Sequence, residues 1–172
     1  RHGAHPISCK PMPLRPASTT QPAPLCADGH PTLLPAALVQ AYRQAWYDVA
    51  LPARAAASRL QVDVHSPALQ HAMQQCGARQ ACLLTACNPL GAALSPADNE
   101  RRMQALRVAL QQDGWSWAPA QGRDPQGEWP DEDSLLVWHM GPTQSRAWGR
   151  HWEQNAVLTV GSDAVPRLLL LR

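Results

Sequence analysis

The fold and the candidate site both depend on one stretch, TACNPLGAALSPADNE, which spans residues 85–100. The apolar run at residues 81–86 predicts a central strand buried on both faces. A polar turn follows it, and Ser95-Pro96 then starts a helix, with a side-chain cap and a proline at the first helical position. No nucleophile with its base, no metal-ligand spacing and no phosphate loop accompanies the stretch. It therefore predicts the place of a site without naming a reaction.

The same cap signal occurs upstream at Ser66-Pro67. It predicts a helix that ends at Gly77, and the helix after Ser95 is expected to end at Gly114. Apolar periodicity predicts two more helices, a short one at residues 33–42 and one at residues 143–153. Strands are expected at residues 46–51, 60–64, 81–86, 115–119, 134–139, 156–160 and 165–171.

These elements predict an α/β (α+β) fold, a single compact domain over residues 36–172. A mixed, mostly central sheet of about six or seven strands is flanked by three main helices. The strands before and after the helix at Ser95 are expected to be parallel, and residues 120–133 are expected to form a long polar loop. The proline-rich residues 1–35 predict a disordered tail. Because the chain begins at Arg1 rather than Met, we interpret it as a fragment or as a mistranslated upstream extension.

Composition argues against several functional classes. The formal net charge of +2 is small for 172 residues, so no nucleic-acid or membrane partner is expected. The apolar runs are far shorter than the roughly 20 residues that span a bilayer. Five cysteines without paired spacing favour a reduced, cytoplasmic setting. The histidines and cysteines lack metal-ligand spacing, so neither a metal nor another cofactor is expected.

Three polar segments are expected to converge at one edge of the sheet, at residues 88–99, 120–130 and 154–155. Arg123 would grip a carboxylate or phosphate, and the helix dipole at Ser95 would assist. This set favours a small polar or anionic, nucleotide-like ligand. The site is wrong if Asn88, Arg123 and Asn155 lie on opposite sides of the fold. The predicted ligand-binding residues are Asn88, Ser95, Asn99, Arg123, Asp124, Trp129, Gln154 and Asn155.

Each of these residues also has an ordinary structural interpretation. Asn88-Pro89 is typical of a turn, Ser95 of a cap and Arg123-Asp124 of an ion pair in a loop. Asn99, one turn into its helix, is expected to bond to the loop before it. Cys87 could be a nucleophile, but a buried inert thiol is the stronger interpretation.

The motifs LTACNP, SPADNER, GRDP, DSLLV and QNA occur in that order, with Trp129 between the third and the fourth. In this the chain resembles a bacterial family known as domain of unknown function 3293, from about residue 38 to the end. The resemblance implies a compact bacterial α/β domain and no reaction. Asp98 stands where the family pattern has Glu, and Trp152-Glu153 stands where it has Phe-Gly.

Three functions remain open from the sequence, and whether the chain is an enzyme is left uncertain. The first is a binding domain for a small polar ligand, and the second is an enzyme at the same edge that uses Asp124 or Cys87. The third is a protein-interaction module with an apolar patch or an unpaired strand as its working surface. A closed pocket favours the first two, and a flat apolar face favours the third. The oligomeric state is left open.

Overall fold

The computed structural model describes residues 23–172. Four helices and seven strands form a single α+β domain. The helices are α1 (Ala36–Gln44), α2 (Pro67–Cys76), α3 (Pro96–Gln112) and α4 (Pro142–His151). The strands are β1 (Trp46–Val49), β2 (Ser58–Leu60), β3 (Ala81–Leu84), β4 (Trp117–Arg123), β5 (Glu132–Trp138), β6 (Ala156–Val160) and β7 (Pro166–Leu170).

The sheet has the strand order β2-β1-β4-β5-β3-β6-β7, and every neighbouring pair is antiparallel. The predicted number of strands and the flanking helices are confirmed. The expected mixed pairing is corrected: β3 and β4 do run in the same direction, but β5 lies between them and pairs with both. Because β5 is inserted between β3 and β4, both of its pairings are antiparallel. The C-terminal ends of β3 and β4 still lie at the same edge of the sheet.

The sheet curls into a half-barrel. The segment after β2 closes the curl, because the Asp63 amide donates to the Pro166 carbonyl and the Ser66 amide donates to the Ala164 carbonyl. The apolar cluster inside the curl includes residues from both edges of the sheet, together with Leu69 and Met73 of α2. The outer cluster packs α3 and α4 against the opposite face of the central strands.

Helix caps fix the start of α2 and of α3 as predicted. Ser66 Oγ accepts the Leu69 amide hydrogen, and Ser95 Oγ accepts that of Asp98, each bond satisfying an otherwise free helix N–H. Gly77 ends α2 with φ of 69°, a left-handed conformation that glycine adopts without strain. Both helices are therefore set by local chemistry that the sequence displays.

The expected tail, residues 1–35, falls into two parts that meet at residue 22. Residues 1–22 lie outside the described residues. Residues 25–31 form a tight turn against β7 and α4, in which the Ala27 amide donates to the Leu170 carbonyl and Arg146 donates to the Ala27 carbonyl. Order therefore begins before residue 36, because the backbone of this turn bonds to the edge of β7.

Candidate functional site

A cavity of about 490 Å³ lies inside the curl, beneath α1. It opens at the sheet edge where β3 and β4 end and β5 and β6 begin, so the predicted convergence of three segments at one edge is present in the structure. Its walls are mainly apolar. They include Leu38, Tyr42, Tyr47, Leu83, Leu158 and Leu168.

Seven of the eight predicted site residues line this cavity, namely Asn88, Asn99, Arg123, Asp124, Trp129, Gln154 and Asn155. Asn88, Arg123 and Asn155 therefore lie on the same side of the fold. Among the described residues, Ser95 is the predicted site residue that does not line the cavity. Its hydroxyl instead caps α3 and bonds to the Asp98 carboxylate. A ligand role for these residues stays a prediction, and their own contacts decide which of them are free to bind.

Asn88 and Asn99 hold each other through a pair of hydrogen bonds. The Asn88 amide N–H donates to Asn99 Oδ1 at 2.9 Å, and Asn99 Nδ2 donates to Asn88 Oδ1 at 2.9 Å. This is the expected bond from Asn99 to the loop before it. The clasp fixes the Asn88 side chain, whose Nδ2 then points at the Glu132 carboxylate, 2.8 Å from Oε2.

The turn that follows Asn88 contains unusual backbone. Asn88 has φ of 48° and Leu90 has φ of 54°, and the left-handed region is unfavourable for leucine. The Leu90 amide is held by the Glu153 carbonyl at 2.7 Å. Gly91 follows, and a Cβ there would lie 3.2 Å from Asn155 Nδ2. The turn is thus held in a strained shape against the segment that carries Asn155.

Glu132 supplies one of the polar groups that line the cavity. Burial raises the pKa of its carboxyl above the ordinary value, the Asn88 hydrogen bond opposes that shift, and the nearby Asp133 carboxylate adds to it. Among the described residues, no side chain or backbone group donates to its second oxygen, Oε1. A half-buried carboxylate with one oxygen fixed and the other free is suited to accept a hydrogen bond from a ligand.

Two tyrosines and an asparagine extend the polar surface of the cavity. Asn155 Nδ2 donates to Tyr42 Oη at 3.3 Å, and Tyr47 Oη donates to the Tyr42 carbonyl at 2.9 Å. Burial raises the pKa of both phenols, so each stays protonated at neutral pH. The bond from Asn155 ties α1 to the start of β6 and fixes the Tyr42 ring as a wall of the cavity.

Arg123 and Asp124 are engaged within the protein. Arg123 Nε lies 3.5 Å from carboxylate oxygens of Asp48 and of Asp131, and the guanidinium also donates to Gln121. Asp124 accepts backbone hydrogens from residues 126, 128 and 129, which holds the turn between β4 and β5. The alternative interpretation, an ion pair of Arg123 with Asp124 in a loop, is corrected: Arg123 ends β4 and pairs with other carboxylates, and Asp124 holds the turn. Trp129 remains 62% exposed at the cavity rim.

Gln154 and Cys87 also have internal roles. Gln154 Nε2 donates to the carbonyls of Cys87 and Trp152, so this buried side chain ties the start of β6 to the segment after β3. Burial raises the pKa of the Cys87 thiol to about 11, which leaves little thiolate at neutral pH. The interpretation of Cys87 as an inert thiol is thereby supported over that of a nucleophile.

Glu132, Tyr42 and Tyr47 were missed by the sequence reasoning. Glu132 fell within the predicted loop, although β5 begins there, and the tyrosines belong to elements that were read only for packing. The available signal for Glu132 was its place next to the apolar run of residues 134–138.

Within residues 23–172, no group of three or more His, Cys, Asp or Glu side chains is arranged to hold a metal ion. None of the described helices is long and apolar enough to span a membrane.

Comparison with protein families gives one match, to a model described as "Protein of unknown function (DUF3293)". The match covers residues 84–157. The match confirms the resemblance over that segment, and most of the cavity's polar residues lie within it, including Asn88, Glu132 and Asn155. α1 and β1, which supply Tyr42 and Tyr47, precede the matched residues. Searches of curated proteins and of solved structures found no match.

Proposed function

We propose that this chain binds a small organic molecule in the cavity beneath α1. The observation that carries the proposal is a half-buried carboxylate, Glu132, with a free oxygen in a cavity whose walls are otherwise mainly apolar. Binding sites for small molecules are typically concave, about 300–1,000 Å³ in volume, and apolar with a few fixed polar groups. The cavity fits each of these descriptions.

The concave shape favours a small ligand over a protein partner. An interaction module would use an exposed apolar face or an unpaired strand, whereas here the apolar residues line a concave space with fixed polar groups at its mouth. The near-neutral charge of the chain supports the expectation that it has no nucleic-acid partner. The free, buried thiols of Cys82 and Cys87 support a reducing, cytoplasmic setting.

A second candidate function is catalysis in the same cavity. The half-buried position of Glu132 favours it, because burial raises the pKa of this carboxyl and makes it a better proton acceptor than an exposed glutamate. The two catalytic residues considered from the sequence are less suited to the task, because Asp124 already accepts three backbone N–H groups and burial keeps the Cys87 thiol protonated by raising its pKa to about 11. Incubation of a bound compound with the wild type and with Glu132→Gln distinguishes the two functions: turnover by the wild type alone supports catalysis.

Binding is tested by a thermal-shift screen of the full chain against amines, amino acids, sugars, nucleotides and organic acids, since a ligand of the folded state raises its melting temperature. Ala41 lines the cavity and Ala37 lies exposed on the same helix. Ala41→Phe fills the space, whereas Ala37→Phe is the matched control. We expect the stabilisation by a hit to disappear only in Ala41→Phe. Equal stabilisation of both variants would show that the hit binds elsewhere.

A further inference from the structure

The charges that line the cavity are strongly unbalanced. Five carboxylates border it, whereas Arg123 is the one cationic side chain in the described lining. Asp48 and Asp131 already pair with Arg123. The lining carboxylates are those of Glu100, Asp124, Asp131, Glu132 and Asp133. An anionic ligand would enter against this field, and a cation would be drawn in by it.

The side-chain amides of the cavity each donate at least one hydrogen bond within the protein already. The side-chain amide of Asn88 donates to Glu132, and that of Asn99 donates to Asn88. Gln154 donates to two backbone carbonyls, and Asn155 donates to Tyr42. Oε1 of Glu132 has no donor among the described residues, and an acceptor of this kind binds a donor.

The body of the ligand is defined by the walls. Two tyrosines and five leucines line the same cavity as Glu132. An aromatic face near an organic cation attracts it through the ring quadrupole, which adds to the attraction of the carboxylate. An ammonium group beside Glu132 would also offset the cost of burying that carboxylate.

We propose that the ligand is a primary amine with an aromatic or alkyl body, whose ammonium group contacts Oε1 of Glu132 and whose body lies between Tyr42, Tyr47 and the leucines. This inference rests on the proposed function and narrows it from a small molecule to an organic cation. It departs from the polar or anionic ligand expected from the sequence, because the structure pairs Arg123 with two carboxylates.

Three probes of one shape test the charge: 2-phenylethylamine, 2-phenylethanol and 3-phenylpropanoate, each titrated into the full chain and followed by ¹H–¹⁵N NMR. We expect the amine to bind at least about tenfold more tightly than the alcohol, a difference of about 1.4 kcal/mol, and the acid to bind most weakly. In Glu132→Gln the advantage of the amine should disappear. In Asp113→Asn, which removes an exposed carboxylate that does not line the cavity, the advantage should persist.

The outcomes separate this inference from the proposed function. Equal binding of amine and alcohol in the cavity overturns the inference and leaves small-molecule binding intact, as does a preference for the acid. An advantage of the amine that survives in Glu132→Gln overturns the assigned contact. If none of the probes changes the spectrum at millimolar concentration, the inference is contradicted. The proposed function is then still judged by the broader screen with Ala41→Phe. The wild-type comparison needs no variant, so it does not depend on the folding of Glu132→Gln.

Discussion

The two faces of the sheet are covered to different extents. On the outer face, α3 buries Met103, Leu106 and Leu110 completely, and α4 completes the cover. On the inner face, α2 covers one part, while the nine-residue α1 buries only Val39 and leaves a cavity of about 490 Å³ beside it. The same sheet thus stabilises the fold on one face and leaves room for a ligand on the other.

This difference connects packing with function. A tightly packed face has little space for a ligand, because protein interiors are as dense as organic crystals. A face covered by a short helix with half-buried side chains can keep a cavity, at the expense of the free energy that full packing would add. The stability of this domain should therefore depend mainly on α3, and ligand binding should depend on α1.

Truncation of one leucine on each face should show the largest contrast. Leu106→Ala removes a fully buried side chain and should lower the free energy of unfolding by about 2–5 kcal/mol. Leu38→Ala removes a half-buried side chain that already borders empty space, so the loss should stay below about 1 kcal/mol. Urea unfolding of both variants measures the difference. Similar losses for the two would show that the inner face is packed as tightly as the outer one.

The clasp between Asn88 and Asn99 links the two faces, because Asn99 lies on α3 and Asn88 presents its amide to Glu132. Asn99→Ala should cost about 1–3 kcal/mol, since it leaves the Asn88 amide N–H without its acceptor. It should also weaken ligand binding, because the Asn88 side chain loses the bond that orients it. Gln111→Ala, at an exposed position of the same helix, is the control and should change neither property. Unfolding and ligand titration of both variants test this, and unchanged binding in Asn99→Ala would contradict the orienting role.

The cap of α3 should affect stability alone. Ser95→Ala removes the bond to the Asp98 amide and should lower the free energy of unfolding by about 1 kcal/mol. Because Ser95 lies outside the described cavity lining, the affinity for a ligand should stay unchanged. Parallel unfolding and binding curves separate the two effects. If Ser95→Ala weakens binding by more than its loss of stability can explain, Ser95 contributes to ligand binding after all.

The smallest effect concerns the pH dependence of stability. Because burial raises the pKa of Glu132, the folded chain holds this proton more tightly than the unfolded chain does. Stability should therefore fall as pH rises from the ordinary glutamate pKa through the raised one. Glu132→Gln lacks this loss and keeps an acceptor for Asn88, so its melting temperature should match that of the wild type at low pH and exceed it slightly at pH 8. A variant that is less stable at pH 8 would show that the ionised carboxylate is stabilising.

The sequence displays the local signals of this fold more clearly than its long-range ones. Proline after serine predicted the starts of α2 and α3, and β6 was predicted within its observed bounds, because caps and apolar runs act over a few residues. The extension of β4 to Arg123 and the start of β5 at Glu132 depend instead on bonds between the two strands. Pairing of that kind overrides the polar composition of residues 120–123 and 132–133, which read as a loop.

The same limit applies to the site. The direction of the strands was enough to predict that Asn88, Arg123 and Asn155 reach one edge. Which of them remain free to bind a ligand depends on partners distant in the sequence, such as Asp48 for Arg123 and Tyr42 for Asn155. Glu132 was missed because it fell within the predicted loop, and its burial in the fold cannot be read from its neighbours in the sequence. Placement at an edge could thus be predicted, whereas the availability of each side chain could not.

The most direct test of the account is a ¹H–¹⁵N NMR titration of the full chain with 2-phenylethylamine. The account predicts shifts confined to the inner face and its mouth, with the amides of Tyr42, Leu83 and Glu132 among the largest. The amides of Leu106 and Leu110 on α3 should stay within the noise. Shifts centred on α3 and α4, or spread evenly over both faces, would contradict the claim that the cavity beneath α1 is the binding site.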